Sequence, residues 1–463
     1  MAKQKLRGKD LIPLGYTNTT IRSFAMQVVG KVCKYQSLAE KLALLEAIIV
    51  NPIAYKTHAD FSSLAHLILD QKEIEIDYQF TKKEFKIYGK DGIAPNAITQ
   101  MEQAMSLPVA VNGALMPDAH HGYGLPIGGV LATENALIPY GVGVDIGCRM
   151  SLSIFEAQEA FLNSNKDKLR QIIVDNSRFG RATFEDNQRD DAFFDRPEFS
   201  QLPLLRRLQD KAYTQIGSSG GGNHFVEFGL VKITEQDNDF GLELGNYLAL
   251  LTHSGSRGFG AMIANTYTQI AMKQHNLPKS IAHLSWLDIN SQAGQEYWLA
   301  MNLAGDYAAA CHHHIHRRVS QALGMNALHN IENHHNFAWK EMLPNGKEVF
   351  VHRKGATPAH QGEWGIIPGS MTAPAFVVRG LGNSLALHSA AHGAGRQLSR
   401  KQAKNAINKK MLNKVLKQHQ VDLISAGLDE APFAYKDIHQ VMAAQQDLVK
   451  VVAPFYPKIV RME

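Results

Sequence analysis

Cysteine is scarce in this chain: Cys33, Cys148 and Cys311 are the only three in 463 residues. Thiols so far apart exclude the dense disulfide framework of a small secreted protein and fit a reducing cytoplasm. Long hydrophobic runs are missing too. No segment reaches the ~18 continuous apolar residues that span a bilayer, and no apolar stretch resembling a secretory signal follows the basic start, so no membrane role is expected. Charge of one sign is in small excess, a formal +5, which permits a polyanionic partner without demanding one. There is no repeat, no Pro/Ser linker, no GxxxxGK[ST] loop and no dinucleotide fingerprint, so any nucleotide would have to be recognised by another fold.

What the chain does have is histidine, 21 of them, several beside glycine, asparagine or another histidine, a pattern that raises the question of metal. Hydrophobic residues at 45% and charged residues at 20% describe a soluble globular protein. The hydrophobic patterning mixes helices and strands, and one large mixed domain over 1–463 is favoured. Residues 10–35 read as strand and turn. A helix follows from Ser37, where Glu40 completes a capping-box spacing, and a hairpin is read from Ile74–Phe80 and Phe85–Tyr88. Helices are expected at Ala97–Met105, 154–174, 202–214, 260–273, 293–322, 383–390 and 399–414. Strands are expected at Pro108–Val111, His224–Leu230 and Tyr247–His253, and 183–199 reads as an exposed excursion.

The chemistry concentrates on glycine-rich turns. Asp145 and Cys148, separated by Ile146 and Gly147 in GVGVDIGCRM, can aim a carboxylate and a thiolate into one space, where a metal would hold the thiol deprotonated. The bland reading makes the cysteine a small core residue and the aspartate a turn cap. Asn223 and His224 close a Gly220–Gly222 run, and His253 opens HSGSRG with Arg257, which reads as an anion-handling loop. In the pair His334–His335 adjacent strand side chains face opposite ways, so one is a ligand and the other orients or packs. Asp145, Cys148, His224, His253 and the HHN histidine are enough for two transition ions and too many for one tetrahedral zinc. Manganese, iron, cobalt and zinc all suit the mixture. The cluster His312–His314 and His316 lies within a helical pattern and is discounted as packing, while His120 and His121 in PDAHHGYGLP stay unplaced. Farther on, His352, Arg353, Lys354, Ser370, Ser389, His392 and Arg396 supply phosphate-like chemistry, and an imidazole between small residues can act as a nucleophile on phosphorus.

The motifs MPDAHHGYGLPIGG, GVGVDIGCRM, GGGNHFVE, HSGSRGFG, HHN, RKGA, IIPGSM, HGAGR and EAPFAYKDI, in that order, resemble the RtcB family of RNA-splicing and RNA-repair ligases. The resemblance runs from about residue 110 to the C-terminus and is weaker over 1–110, which is read as part of the same domain. It implies an α+β fold, a single mixed domain with packed sheets flanked by helices around a dinuclear metal pocket. It further implies two Mn2+ ions held by Asp145, Cys148, His224, His253 and His335, with Cys148 bridging, and GTP as the cofactor. His392 would be the guanylylated nucleophile and Asn223 a catalytic polar residue. Glu227, Ser370, Tyr435 and the turn Gly393–Ala394–Gly395 would line the nucleotide pocket. RNA with 3′-phosphate or 2′,3′-cyclic phosphate and 5′-hydroxyl ends would be the partner; an activating protein, a monomeric state and a cytoplasmic location are further expectations of the same kind. Two departures stand out. Arg149 occupies a position where many relatives have glycine, and PKIVRME replaces a usual lysine-glycine end, leaving Arg461 or Lys458 as substitutes for a guanine-contacting lysine. Two other readings stay open: a metal-dependent phosphatase or nuclease that turns over without GTP, and a noncatalytic RNA-binding protein.

Overall fold

Ser37 and Glu40 do what their spacing predicts. The Ser37 hydroxyl accepts from the Glu40 N–H at 3.3 Å and the Glu40 carboxylate accepts from the Ser37 N–H at 2.7 Å, and together they start the helix Leu38–Val50. In the computed structural model, which describes residues 6–16, 19–73, 81–184 and 191–463, this helix belongs to a first compact unit, Met1–Asp77 with Gln274–Asn276. That unit is helical where strand and turn were expected: Gly8–Leu11 and Thr19–Val32 are helices, because Ile21, Ala25 and Val29 recur every fourth residue on one buried face. The expected strand Ile74–Phe80 lies outside the described residues.

The second unit, Tyr78–Lys273 with Leu277–Glu463, carries the sheets. Lys86–Ile87 is a short strand that pairs in parallel with Ala114–Leu115. The strand expected at Pro108–Val111 runs instead over Ala110–His120 and carries the MPDAH motif to its end. It lies in a five-stranded sheet with Ile127–Thr133, Glu348–Lys354 and Asn336–Met342. An eight-stranded sheet places Phe225–Ile233, Gly245–Ser254, Arg149–Gln158 and Ala327–His334 side by side, with Val449–Met462 on the outer flank of Phe225–Ile233.

Other differences have simple causes. The pattern at 154–174 begins as the end of strand Arg149–Gln158 before two short helices, Glu159–Ser164 and Lys166–Asn176. Within 183–199, Phe193 and Phe199 are buried against Phe259 and Tyr307, so part of the supposed excursion is core. At 383–390 there is only the turn Ser384–Ala386 and then the strand Ser389–Ala391. The long helix Gln292–Leu323 matches its pattern; Ser291 caps its start and Gly324, left-handed at φ 71°, ends it. It approaches the Asp145–Cys148 turn so closely that a Cβ on Gly147, itself at φ +67°, would lie 2.8 Å from the Gly305 Cα.

Candidate metal centre and histidine nucleophile

Antiparallel pairing assembles the cluster. Four neighbouring strands run alternately up and down, so the start of one lies beside the end of the next. Phe225 and Met150 both pair with His253, and Arg149 pairs with His334. His224, at the entry to its strand, His253 near the exit of the next, Cys148 before the third and His335 after the fourth therefore meet at one end of the sheet. His335 also marks the point where the chain leaves the eight-stranded sheet for the five-stranded one; its N–H donates to the Cys148 carbonyl at 3.0 Å.

The side chains converge. Cys148 Sγ lies 3.1 Å from His253 Nε2 and 3.4 Å from His224 Nε2. His253 Nε2 lies 3.2 Å from His335 Nε2, and His224 Nε2 is 2.9 Å from Asp145 Oδ2. His253 Nδ1 faces the Asn223 carbonyl at 3.1 Å and must donate to it, which leaves a lone pair on Nε2 facing Cys148 and His335. Burial lowers the His253 imidazole to about 3 and drives His335 well below its ordinary value, so both imidazoles are neutral. Burial works to raise the Asp145 carboxyl, but the adjoining His224, with Cys148 and His253, brings it below its usual range. Burial and Asp145 push the Cys148 thiol well up, a cost that a cation at this spot would reverse.

Two neutral imidazole lone pairs, a thiol and a carboxylate packed within hydrogen-bond distance fit a divalent transition metal better than they fit one another. Buried His224 Nδ1 and His335 Nδ1 have no hydrogen-bond partner among the described residues. Cys148, His224 and His253 form a group able to hold one ion, and Asp145 and His335 extend it.

His392 stands beside this centre, its ring centroid 5.0 Å from that of His335. Its orientation is set by Asp118, a residue that sequence reasoning did not single out. Asp118 is fully buried; its Oδ2 accepts from His392 Nδ1 at 2.6 Å and from the His392 backbone N–H at 3.1 Å. The imidazole proton is thereby held on Nδ1 and the Nε2 lone pair is free. The turn after His392 needs its glycine: at Gly395, with φ +73°, a side chain would run into the Asp118 carbonyl.

A cavity of ≈ 660 Å³ joins these groups, lined by Asn223, Glu227, His253, Ser370, His392 and Tyr435 among others, together with the Gly393–Ala394–Gly395 turn. Burial alone pushes the Glu227 carboxyl well above its usual range. The Tyr435 hydroxyl donates to Glu430, which also pairs with Arg396 at 3.2 Å. His120 and His121, unplaced by sequence, are on the same wall, and burial lowers His120 to about 4.

Several expected contacts lie elsewhere. Arg461 does not line the cavity: its strand alternates, so Val460 and Met462 face inward while Arg461 donates to the Val174 carbonyl at 2.8 Å and the Ser177 hydroxyl at 3.1 Å. Lys458 lines a separate pocket. Arg149 is turned toward Glu332 at 3.2 Å and His334 at 3.4 Å, not toward the cavity. His334 stacks on Trp339 with centroids 4.9 Å apart, so it is the packing member of the histidine pair. Arg257 is engaged by Ser218 and the Gly180 carbonyl. Arg353 is completely buried, bound to Glu341 at 2.6 Å and Ser389 at 2.8 Å, and cannot meet a ligand. His312 and His316 bracket the Thr252 hydroxyl at 2.7 and 2.8 Å, bracing the strand that presents His253.

Comparison with known proteins identifies the family. The family described as tRNA-splicing ligase RtcB matches residues 100–196 and 197–463. The RNA-splicing ligase RtcB1 of Escherichia coli (strain ATCC 25922) is 34% identical over 369 residues, covering 73% of this chain and 87% of its own. The tRNA-splicing ligase RtcB of Nanoarchaeum equitans is 28% identical over 454 residues, covering 80% of this chain and 94% of its own. The chain belongs to the RtcB family.

Proposed function

We propose that this protein is a GTP-dependent RNA ligase joining 3′-phosphate or 2′,3′-cyclic phosphate ends to 5′-hydroxyl ends. The observation that carries the proposal is the Asp118–His392 pair, which leaves a free Nε2 on a residue lining the same cavity as His253, a member of the Cys148–His224–His253 group. Family membership and the names of its relatives support the RNA ligase class; the histidine chemistry is argued from the pair itself.

Asp145, Cys148, His224, His253 and His335 would hold two divalent ions, manganese by resemblance, whose charge would offset that of the phosphoryl oxygens. His392 Nε2 attacks the α-phosphorus of GTP, forming an N–P bond as the bond to pyrophosphate breaks. Asp118 stabilises the charge gained by the imidazole, since it accepts the hydrogen bond from Nδ1–H and keeps its own negative charge. An oxygen of the RNA 3′-phosphate then attacks the same phosphorus, releasing His392 and leaving GMP on the RNA end. Attack by the 5′-hydroxyl on the RNA phosphorus forms the phosphodiester and expels GMP. A cyclic phosphate must first be opened by water. Glu227, Ser370, Tyr435 and the turn 393–395 are assigned to the nucleotide, and Asn223 to the reacting phosphate. Cys33, Cys148 and Cys311 are all free, as a reducing cytoplasm would keep them. No helix among the described residues is long and apolar enough to cross a membrane.

The test is incubation with manganese and α-labelled GTP, followed by assay of acid-labile protein-bound label and of RNA joining. The wild type should carry the label and His392→Ala should not. Phosphate release from RNA ends without any label would replace this reading with a hydrolase.

A further inference from the structure

The stretch from Arg400 to Gln420 contains seven lysines and arginines and no aspartate or glutamate, a local excess larger than the +5 of the whole chain. It folds as two helices, Arg400–Ala406 and Lys409–His419, separated by Ile407 and Asn408. Leu412 and Leu416 on the second helix are buried in one apolar cluster with Met371, Val460 and Met462. The latter three also line the cavity that holds His392. The helix pair is therefore the outer layer of the cavity wall, and at its near end Ser399, Arg400 and Gln402 reach the cavity itself.

Helical geometry separates the two faces of Lys409–His419. Lys410, Lys414 and Lys417, spaced by four and three, share the face opposite Leu412 and Leu416, and all three are exposed. The first and last are about 10 Å apart along the axis at 1.5 Å per residue. A solvated helix face ordinarily mixes signs, with carboxylates a turn away from lysines. Here only Arg400 and Lys404 are paired, through Asp429 and Glu430. Lys401, Lys409, Lys410, Lys414 and Lys417 have no carboxylate partner among the described residues. Lys410 and Lys414 stand one turn apart as like charges, an arrangement that disfavours the helix unless an anion meets it.

Resting on the RNA-ligase reading, we propose that the Lys410–Lys414–Lys417 stripe is a docking track for the phosphate backbone of the RNA whose end enters the cavity. Repeated single charges along a stripe suit a ligand with repeated single negative charges, and continuity with the His392 cavity wall favours RNA over an acidic protein. Such contacts carry affinity without sequence preference.

The experiment uses the full chain with Lys410, Lys414 and Lys417 each changed to Gln, and a second variant with each changed to Arg. Binding to labelled single-stranded RNA of about twenty nucleotides bearing a 3′-phosphate is titrated over a range of salt, with a three-nucleotide RNA as control. His392 labelling by GTP is measured in parallel. The Gln variant should bind the long RNA about 10- to 100-fold more weakly near 0.1 M salt. Its slope of log affinity against log salt should be shallower by about 2, at ~0.7 per lost phosphate contact. The short RNA and the GTP labelling should be unaffected, and the Arg variant should behave as wild type. Unchanged long-RNA affinity and slope in the Gln variant would overturn the proposal, including when that variant instead loses binding to polyglutamate. Absence of GTP labelling in the wild type with the RNA effects intact would sink the ligase reading and leave the RNA track standing.

Discussion

Replacing Asp118 with asparagine isolates the proton that the buried carboxylate governs. The change is nearly isosteric, so packing around a fully buried side chain is kept. Asp118 Oδ2 accepts from both the His392 backbone N–H, at 3.1 Å, and Nδ1, at 2.6 Å. An asparagine can offer its oxygen to these donors, but then its NH2 group takes the place of the other carboxylate oxygen, Asp118 Oδ1, which already has no partner among the described residues. If the amide turns over, its N–H donates to Nδ1, the imidazole proton moves to Nε2 and the nucleophilic lone pair is lost. In either orientation the imidazole loses the adjacent negative charge as it becomes positive during attack. A hydrogen bond to a charged group is worth about 1.5–3 kcal/mol, and the tautomer change adds to this. A total of about 2–4 kcal/mol corresponds to a slowing of roughly 30- to 1000-fold at 1.36 kcal/mol per decade. Single-turnover formation of the labelled protein from GTP reads this step without RNA, while thermal unfolding verifies that the variant folds. A labelling rate within threefold of wild type would refute the assignment of Asp118 as the residue that orients His392.

Gly395→Ala should abolish labelling with a modest loss of stability, because the added methyl meets the Asp118 carbonyl and moves the turn that follows His392; normal labelling would show that the turn adapts. Cys148→Ser should lower the retained manganese or zinc per protein after dialysis, with affinity weaker by at least ~100-fold, since serine supplies no thiolate; an unchanged metal ratio would remove Cys148 from the ligand set. Lys354 provides a pH test. Burial lowers its ammonium to about 7 against an ordinary 10.5, so between those values the unfolded chain holds a proton that the folded chain has lost. Stability must therefore rise with pH across that window, and the cost is fully present below pH 7. Relative to Lys354→Met, the wild type should gain on the order of 3 kcal/mol from pH 7 to pH 10, measured as urea midpoints; a constant difference would show that the Tyr123 and Tyr140 carbonyls keep the amine charged.

Why some of this was legible in sequence and some was not follows from the range of each determinant. Ser37 with Glu40, and Ser291 with Gly324, are local signals three residues or one helix apart, and they mark helix ends correctly. Thr19–Val32 was misread because Ala25 fills a core position that a larger apolar residue would have advertised, and β-branched neighbours suggested a strand. Strand order had no local trace: Val449–Met462 pairs with Phe225–Ile233 across more than two hundred residues. The thiol, carboxylate and imidazoles of the cluster were readable as candidates because such groups beside glycine declare their chemistry. The partner of His392 was not, since Asp118 is 274 residues away and a lone aspartate after proline resembles a turn. Basic residues were the least legible. Arg353 and Lys410 each sit beside another basic residue in the sequence, yet one is sealed in the core beside Glu341 and the other stands exposed. An arginine's desolvation requires a partner that only the fold supplies, so charge patterning becomes evidence about RNA only after the paired residues have been set aside.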